Sequence, residues 1–379
     1  MPIGSINCKL RDKKDHFVTT LYKEIRQKLQ IKPSNILLLE IDDKEIFKIP
    51  NKDFHITIPK KFIKSGSDKT IVKILNVYDK EKGKLRDCQL FDDYLVNIRA
   101  LIPKKTIFGD EIFVLDAKDS VYVWYSIGGG AGHIKVKKKF NAEKLAELIG
   151  FYFGDGNTSE EIRSFRLNNC EPSTLNYCLG LLEELGLPRN AMKMQIIYST
   201  PEAKIEDILK EKCIRYWSNE LKINQNQIVS VNKSYGKTKS LEYGSARIFL
   251  DNSVFVEVML HGVLKKFIKI IQNPKGDVEK NILTGFLRGL AAAEGSVMLT
   301  KLNSLSKIGF SYNPHSNDLK FYKKILGNLK IEYGGTHGNE LLIYGIKNFK
   351  IFHDMDLFKM HKNRKRKFEE GYKNHKFSD

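Results

Sequence analysis

The sequence predicts an α+β chain in which a small β-rich domain precedes two related repeats. Three observations carry that expectation. Short apolar runs of strand length fill residues 1–137. Two small-residue helices of matching pattern occur at Leu148–Gly156 and Leu287–Gly295, and each is followed by alternating strand and helix segments.

The first domain, 1–137, opens with an apolar-periodic segment, Phe17 to Leu29, that predicts a helix. Ile36–Ile41, Phe54–Ile58, Ile71–Val77, Ile112–Leu115 and Val121–Tyr125 are short, β-branched or aromatic and bounded by charged turns, so they predict strands. The stretch His55-Ile-Thr-Ile-Pro-Lys-Lys61 is faintly similar to the strand of AbrB-like DNA-binding hairpins, although a strand ending at proline accounts for it. Gly128-Gly-Gly-Ala-Gly132 lacks the Lys-Ser/Thr of a phosphate-binding loop and reads as a flexible joint.

Repeat one, 138–276, predicts a motif helix (Glu143–Phe153), a strand (Ser164–Leu167), a helix (Ser173–Leu185) and a strand (Met192–Tyr198). A helical insertion (Ile205–Leu221), strands at Ile228–Val231 and Arg247–Leu250, and a helix (Val254–Ile271) complete it before Asn273-Pro-Lys-Gly276 breaks the chain. Repeat two, 277–379, is more compact. It predicts a motif helix (Asn281–Ala293), strands at Val297–Thr300 and Lys307–Tyr312, a helix (Asp318–Leu329), strands at Ile331–Tyr333 and Leu341–Tyr344, and terminal helices.

The two motif helices are physically odd. Glycine inside a helix costs about 1 kcal/mol relative to alanine, yet Gly150 and Gly154 lie one turn apart, as do Gly285, Gly289 and Ala293. Each set forms a smooth stripe that lets two backbones approach closely. Each helix also ends in an acid, Asp155 or Glu294, facing the negative end of its own dipole. Two such acids brought together repel unless a proton or a divalent metal lies between them.

With these residues in matched positions, the chain from about Lys138 resembles the LAGLIDADG homing endonucleases of the single-chain, two-motif kind. The resemblance implies two αββαββα repeats related by a pseudo-twofold axis, their curved sheets forming a saddle over duplex DNA. It implies that Asp155 and Glu294 bind Mg²⁺ or Mn²⁺, with the carbonyls of Gly154 and Ala293 as additional ligands. The implied activity is a hydrolytic double-strand cut leaving short 3′ overhangs, in the service of intron homing. The family often places a supporting amide and lysine near the waters. Asn169 holds the amide position in place of glutamine, and Lys347 matches the lysine position, where it reads equally as a plain helix-start lysine. The other reading is a non-catalytic nucleic-acid binder on the same fold, a transcription regulator or an RNA maturase.

Composition agrees with a polyanionic partner. Lys and Arg total 64 against 45 Asp and Glu, a net charge of +19, while 41% hydrophobic content indicates a packed core. Arg163, Arg166, Lys193, Lys233, Lys237, Lys239, Arg247, Lys301 and Lys307 lie in or beside predicted strands, where alternate residues face a major groove. The run Lys359–Phe368 concentrates further positive charge on a predicted helix, as a phosphate contact, a solvated run or a targeting signal. Five cysteines without a Cys-x-x-Cys pair argue against zinc and against a disulfide framework. With no membrane-length apolar run and no secretory segment, the expectation is a cytoplasmic monomer that binds double-stranded DNA. No splicing-type nucleophile or His-Asn end is present, which favours a freestanding or intron-encoded enzyme over an intein.

Overall fold

A computed structural model describes residues 2–9, 11–12, 16–63, 69–125, 132–156, 164–200, 205–234 and 242–375. Most of the Gly128–Gly132 joint, and Arg163, Lys237 and Lys239, lie outside the described residues. The chain is a mixed α/β protein of two compact units, 1–89 with 98–138 and 252–258, and 90–97 with 139–251 and 259–379. Apart from Lys138 and 252–258, the residues of both repeats belong to the second unit.

The first unit is built on an antiparallel sheet whose strands run in the order Gly4–Lys9, Lys69–Asp79, Asn35–Ile41, Lys44–Lys48. The run Ile36–Ile41 is almost continuously apolar because both of its faces are covered. Leu37, Leu39 and Ile41 join Ile56, Ile58 and Val72 in one core, while Ile36 and Leu38 meet Phe113, Leu115, Tyr122 and Trp124 in another. The expected helix from Phe17 to Leu29 is a strand, His16–Thr20, followed by a short helix, Lys23–Lys28. Phe17-Val-Thr-Thr20 pairs with His55–Pro59, and that cross-strand pairing outweighs the helical periodicity.

In the second unit the first motif helix spans Ala142–Asp155, and Asn141 caps its start by accepting a bond from the Lys144 amide. The following strands are β1 (Phe165–Asn169), β2 (Lys193–Ser199), β3 (Ile228–Ser234) and β4 (Ser245–Leu250), with helices at Pro172–Leu185 and Asp207–Leu221. They form a sheet in the order β1-β4-β2-β3. The insertion is a helix and an added edge strand, since β3 lies parallel to β2. The predicted helix at Val254–Ile271 is helical from Ser253 to Gln272, with a π segment at Glu257–Leu264.

The second motif helix, Asp277–Glu294, leads directly into β5 (Gly295–Leu299). Strands β6 (Leu305–Ser311), β7 (Gly335–His337) and β8 (Glu340–Ile343) complete a sheet ordered β5-β6-β8-β7. The strand expected at Ile331–Tyr333 begins later, at Gly335, because Ile331 is still bonded to the preceding helix through the Leu326 carbonyl. Helices at Ile346–Asp354 and Lys362–Lys373 follow. Among the described residues no helix is long and apolar enough to cross a membrane.

Candidate metal and nucleic-acid site

The motif helices pack stripe to stripe. A Cβ on Gly150 would fall inside the Phe286 carbonyl, and one on Gly289 inside the Glu147 carbonyl. A Cβ on Gly285 would likewise strike the Glu143 carbonyl, and one on Gly154 would lie 2.5 Å from the Ala293 Cβ. The absence of side chains thus sets backbone-to-backbone packing. Because the acids terminate the two helices, this packing delivers them to one end together.

Their electrostatics follow from that placement. Burial pushes Asp155 up to about 6, although the Asn169 side-chain amide, donating at 2.6 Å to its carboxylate, pulls the other way. Glu294 rises to about 7, first through burial and then through the negative charge of Asp155. Both helices leave with extended backbone rather than a left-handed cap. Gly156 bridges Leu167 and Gly295 pairs with Phe310, so each acid hangs at the junction of helix and sheet.

One cation acts on both acids. Arg364, on the C-terminal helix, donates to the carbonyls of Ala291 at 2.8 Å, Ala292 at 2.7 Å and Ala293 at 3.3 Å. Its guanidinium therefore covers the negative end of the second motif helix, and its charge draws both Asp155 and Glu294 downward. Lys347 is exposed in the first turn of the helix Ile346–Asp354. Ala293 thus shares its carbonyl with Arg364.

The donor set suits a hard divalent ion. Two carboxylates raised by desolvation, Glu294 also by the charge of Asp155, gain most from an oxygen-preferring cation such as Mg²⁺ or Mn²⁺. Among the described residues no group of three or more His, Cys, Asp or Glu forms a metal cluster. A cation at this place would be held by Asp155 and Glu294 with main-chain and substrate oxygens.

No family model matches the chain, and no curated protein matches it. Solved structures that are similar to it include the following two. One, the N-terminal LAGLIDADG domain of DUF199/WhiA, shares 15% identity at a TM-score of 0.32, covering 57% of this chain and 82% of that one. The other is full-length DUF199/WhiA from Thermatoga maritima, with 15% identity and a TM-score of 0.35. That likeness covers 63% of this chain, which spans 62% of the other's length. Likeness at this level fixes neither activity nor partner.

The strand cations separate into groups. Arg166, Lys193 and Arg247 lie on one face of the first sheet, opposite the buried Leu167, Met194 and Ile248. Lys233 pairs across from Tyr198, which is buried, so it lies on the other face. Lys307 is in β6, and Lys301 is in the turn after β5.

Three features were not legible in the motifs. Asn168 accepts from Arg247 at 2.8 Å and donates to the Asp155 carbonyl at 3.1 Å, joining sheet face to acid. Glu147, fully buried on the first motif helix, is held by Arg288 at 3.1 Å, Lys359 at 2.9 Å and the Tyr177 hydroxyl. Arg364 was one charge in a basic run; only its depth beside the helix end distinguishes it.

Proposed function

We propose that this protein is a site-specific endonuclease for duplex DNA, dependent on a divalent metal held by Asp155 and Glu294. The observation that carries the reading is the acid pair itself, two half-buried carboxylates raised to about 6 and about 7 at the joined ends of two helices. Such perturbed groups cluster at functional sites. A bound Mg²⁺ would activate water and neutralise developing phosphate charge. This chain's own part is to hold the carboxylates at the helix ends, to fix Asp155 through Asn169, and to supply the cationic sheet face for phosphates and bases. The reading includes a monomer whose two sheets form a saddle over the duplex, and a staggered cut leaving short 3′ overhangs.

A specific observation favours a second reading, a non-catalytic nucleic-acid binder. Arg364 already supplies a fixed positive charge beside both acids, which a metal would otherwise provide. One experiment separates the two. The protein is incubated with Mg²⁺ and a randomised duplex library, and both bound and cut molecules are sequenced. Cut ends at a defined sequence, lost in Asp155→Ala and Glu294→Ala with binding retained, support the nuclease. A selected sequence that is never cut in Mg²⁺ or Mn²⁺ supports the binder.

A further inference from the structure

The two sheets can be compared position by position, because each is tied to its motif helix by an equivalent backbone pairing. Gly156 opposite Leu167 in the first repeat corresponds to Gly295 opposite Phe310 in the second. Leu167 then corresponds to Phe310, and Asn168 to Ser311. One strand further, Asn168 pairs with Arg247 while Ser311 pairs with Glu340, so an arginine and a glutamate hold the same place. The next strand pairs Gln195 with Arg247 and His337 with Glu340. By the same register Arg166 corresponds to Gly309, and Lys193 to Gly335.

The outward faces are therefore chemically opposed. The first carries Arg166, Asn168, Lys193, Gln195, Asn232 and Arg247, and among the described residues no acid occurs in its four strands. Arginine, asparagine and glutamine are the side chains that pair bidentately with base edges in the major groove. The second face has glycine at two of these places; it carries Lys307, Ser311 and His337, with an acid fixed among them. Glu340 accepts from the Ser296 hydroxyl, and a Cβ on Gly309 would occupy the space of its carboxylate. An anion so placed repels a phosphate backbone. The inserted β3 also widens only the first sheet, adding Asn232 beside Ile197.

We infer that base recognition is one-sided: the first repeat's sheet reads one half of the target, and the second repeat's sheet reads none of its own half. The inference rests on the DNA-binding part of the proposed function and not on cleavage. A duplex with one invariant half and one freely variable half is the ligand this arrangement selects.

The test is selection of full-length protein on a randomised duplex without divalent metal, followed by single-base scanning of the winning site. The expected result is base preference confined to one side of the centre. Arg247→Ala or Gln195→Ala is expected to lower discrimination at individual bases by about tenfold. Glu340→Ala is expected to raise affinity without changing base preference. Because Arg247 also bonds Asn168, Arg247→Lys serves as a control that keeps the charge; it should keep the affinity for non-cognate duplex and lose the extra affinity for the selected site. Two equally informative halves, or base preference altered by Glu340→Ala, would overturn the inference while leaving DNA binding intact. Failure to bind any duplex would overturn it together with the proposed function.

Discussion

Replacing Asp155 by asparagine tests the acid pair directly, because the two side chains have the same shape and only one carries charge. In the folded protein Asp155 gives up its proton near 6 rather than 3.8. The sign follows from linkage: between those values the unfolded chain is ionised while the folded chain still holds its proton, so stability falls as pH rises and is level above about 6. At about 1.4 kcal/mol per pKa unit, the full cost above that window is roughly 3 kcal/mol, and solvent reaching the half-buried carboxyl reduces it to about 1–3 kcal/mol. Glu294, raised to about 7 in part by Asp155, adds a second decline that should shift to lower pH in the variant. Thermal or urea unfolding of both proteins from pH 4 to pH 8 measures this. Asp155→Asn should be the more stable protein at pH 8, with the advantage fading towards pH 4. Mg²⁺ should narrow the gap by stabilising the wild type alone. Equal stabilities at pH 8, or a variant that is weaker there, would refute the picture of two strained carboxylates.

Other perturbations probe the scaffold around the pair. Gly289→Ala places a methyl against the Glu147 carbonyl; despite the gain in helix propensity, a net loss of about 1–3 kcal/mol is expected in urea unfolding. Arg364→Gln removes the cation from both acids and from the carbonyls of Ala291–Ala293, so the carboxyl titrations of Asp155 and Glu294, followed by NMR, should move to higher pH. Glu147→Leu leaves Arg288 and Lys359 without their buried anion and should cost about 3–5 kcal/mol, whereas Glu147→Gln keeps the Tyr177 bond and should cost less.

The sequence made the motif helices legible because glycine spacing and terminal acids are local properties. Gly150, Gly289, Asp155 and Glu294 stand out without any knowledge of their neighbours. Strand positions in repeat two were nearly as plain, since short apolar runs there face one core. The strand at His16–Thr20 was not, because its partner lies beyond a helix and a strand pair, and helical periodicity alone cannot register that pairing.

By itself, then, the sequence determined that one glycine-striped helix pattern occurs twice, that each occurrence ends in an acid, and that positive charge predominates. Only the tertiary structure decided what those acids feel and which charges matter. The pKa of Asp155 depends on burial, on Asn169 and on Arg364, none of which is close to it in sequence. The contrast between Arg247 and Glu340 exists only in the register of two sheets, where residues distant in the chain become counterparts across an internal symmetry. Electrostatic fields and pairing registers are set by distance in space, and a linear sequence records neither.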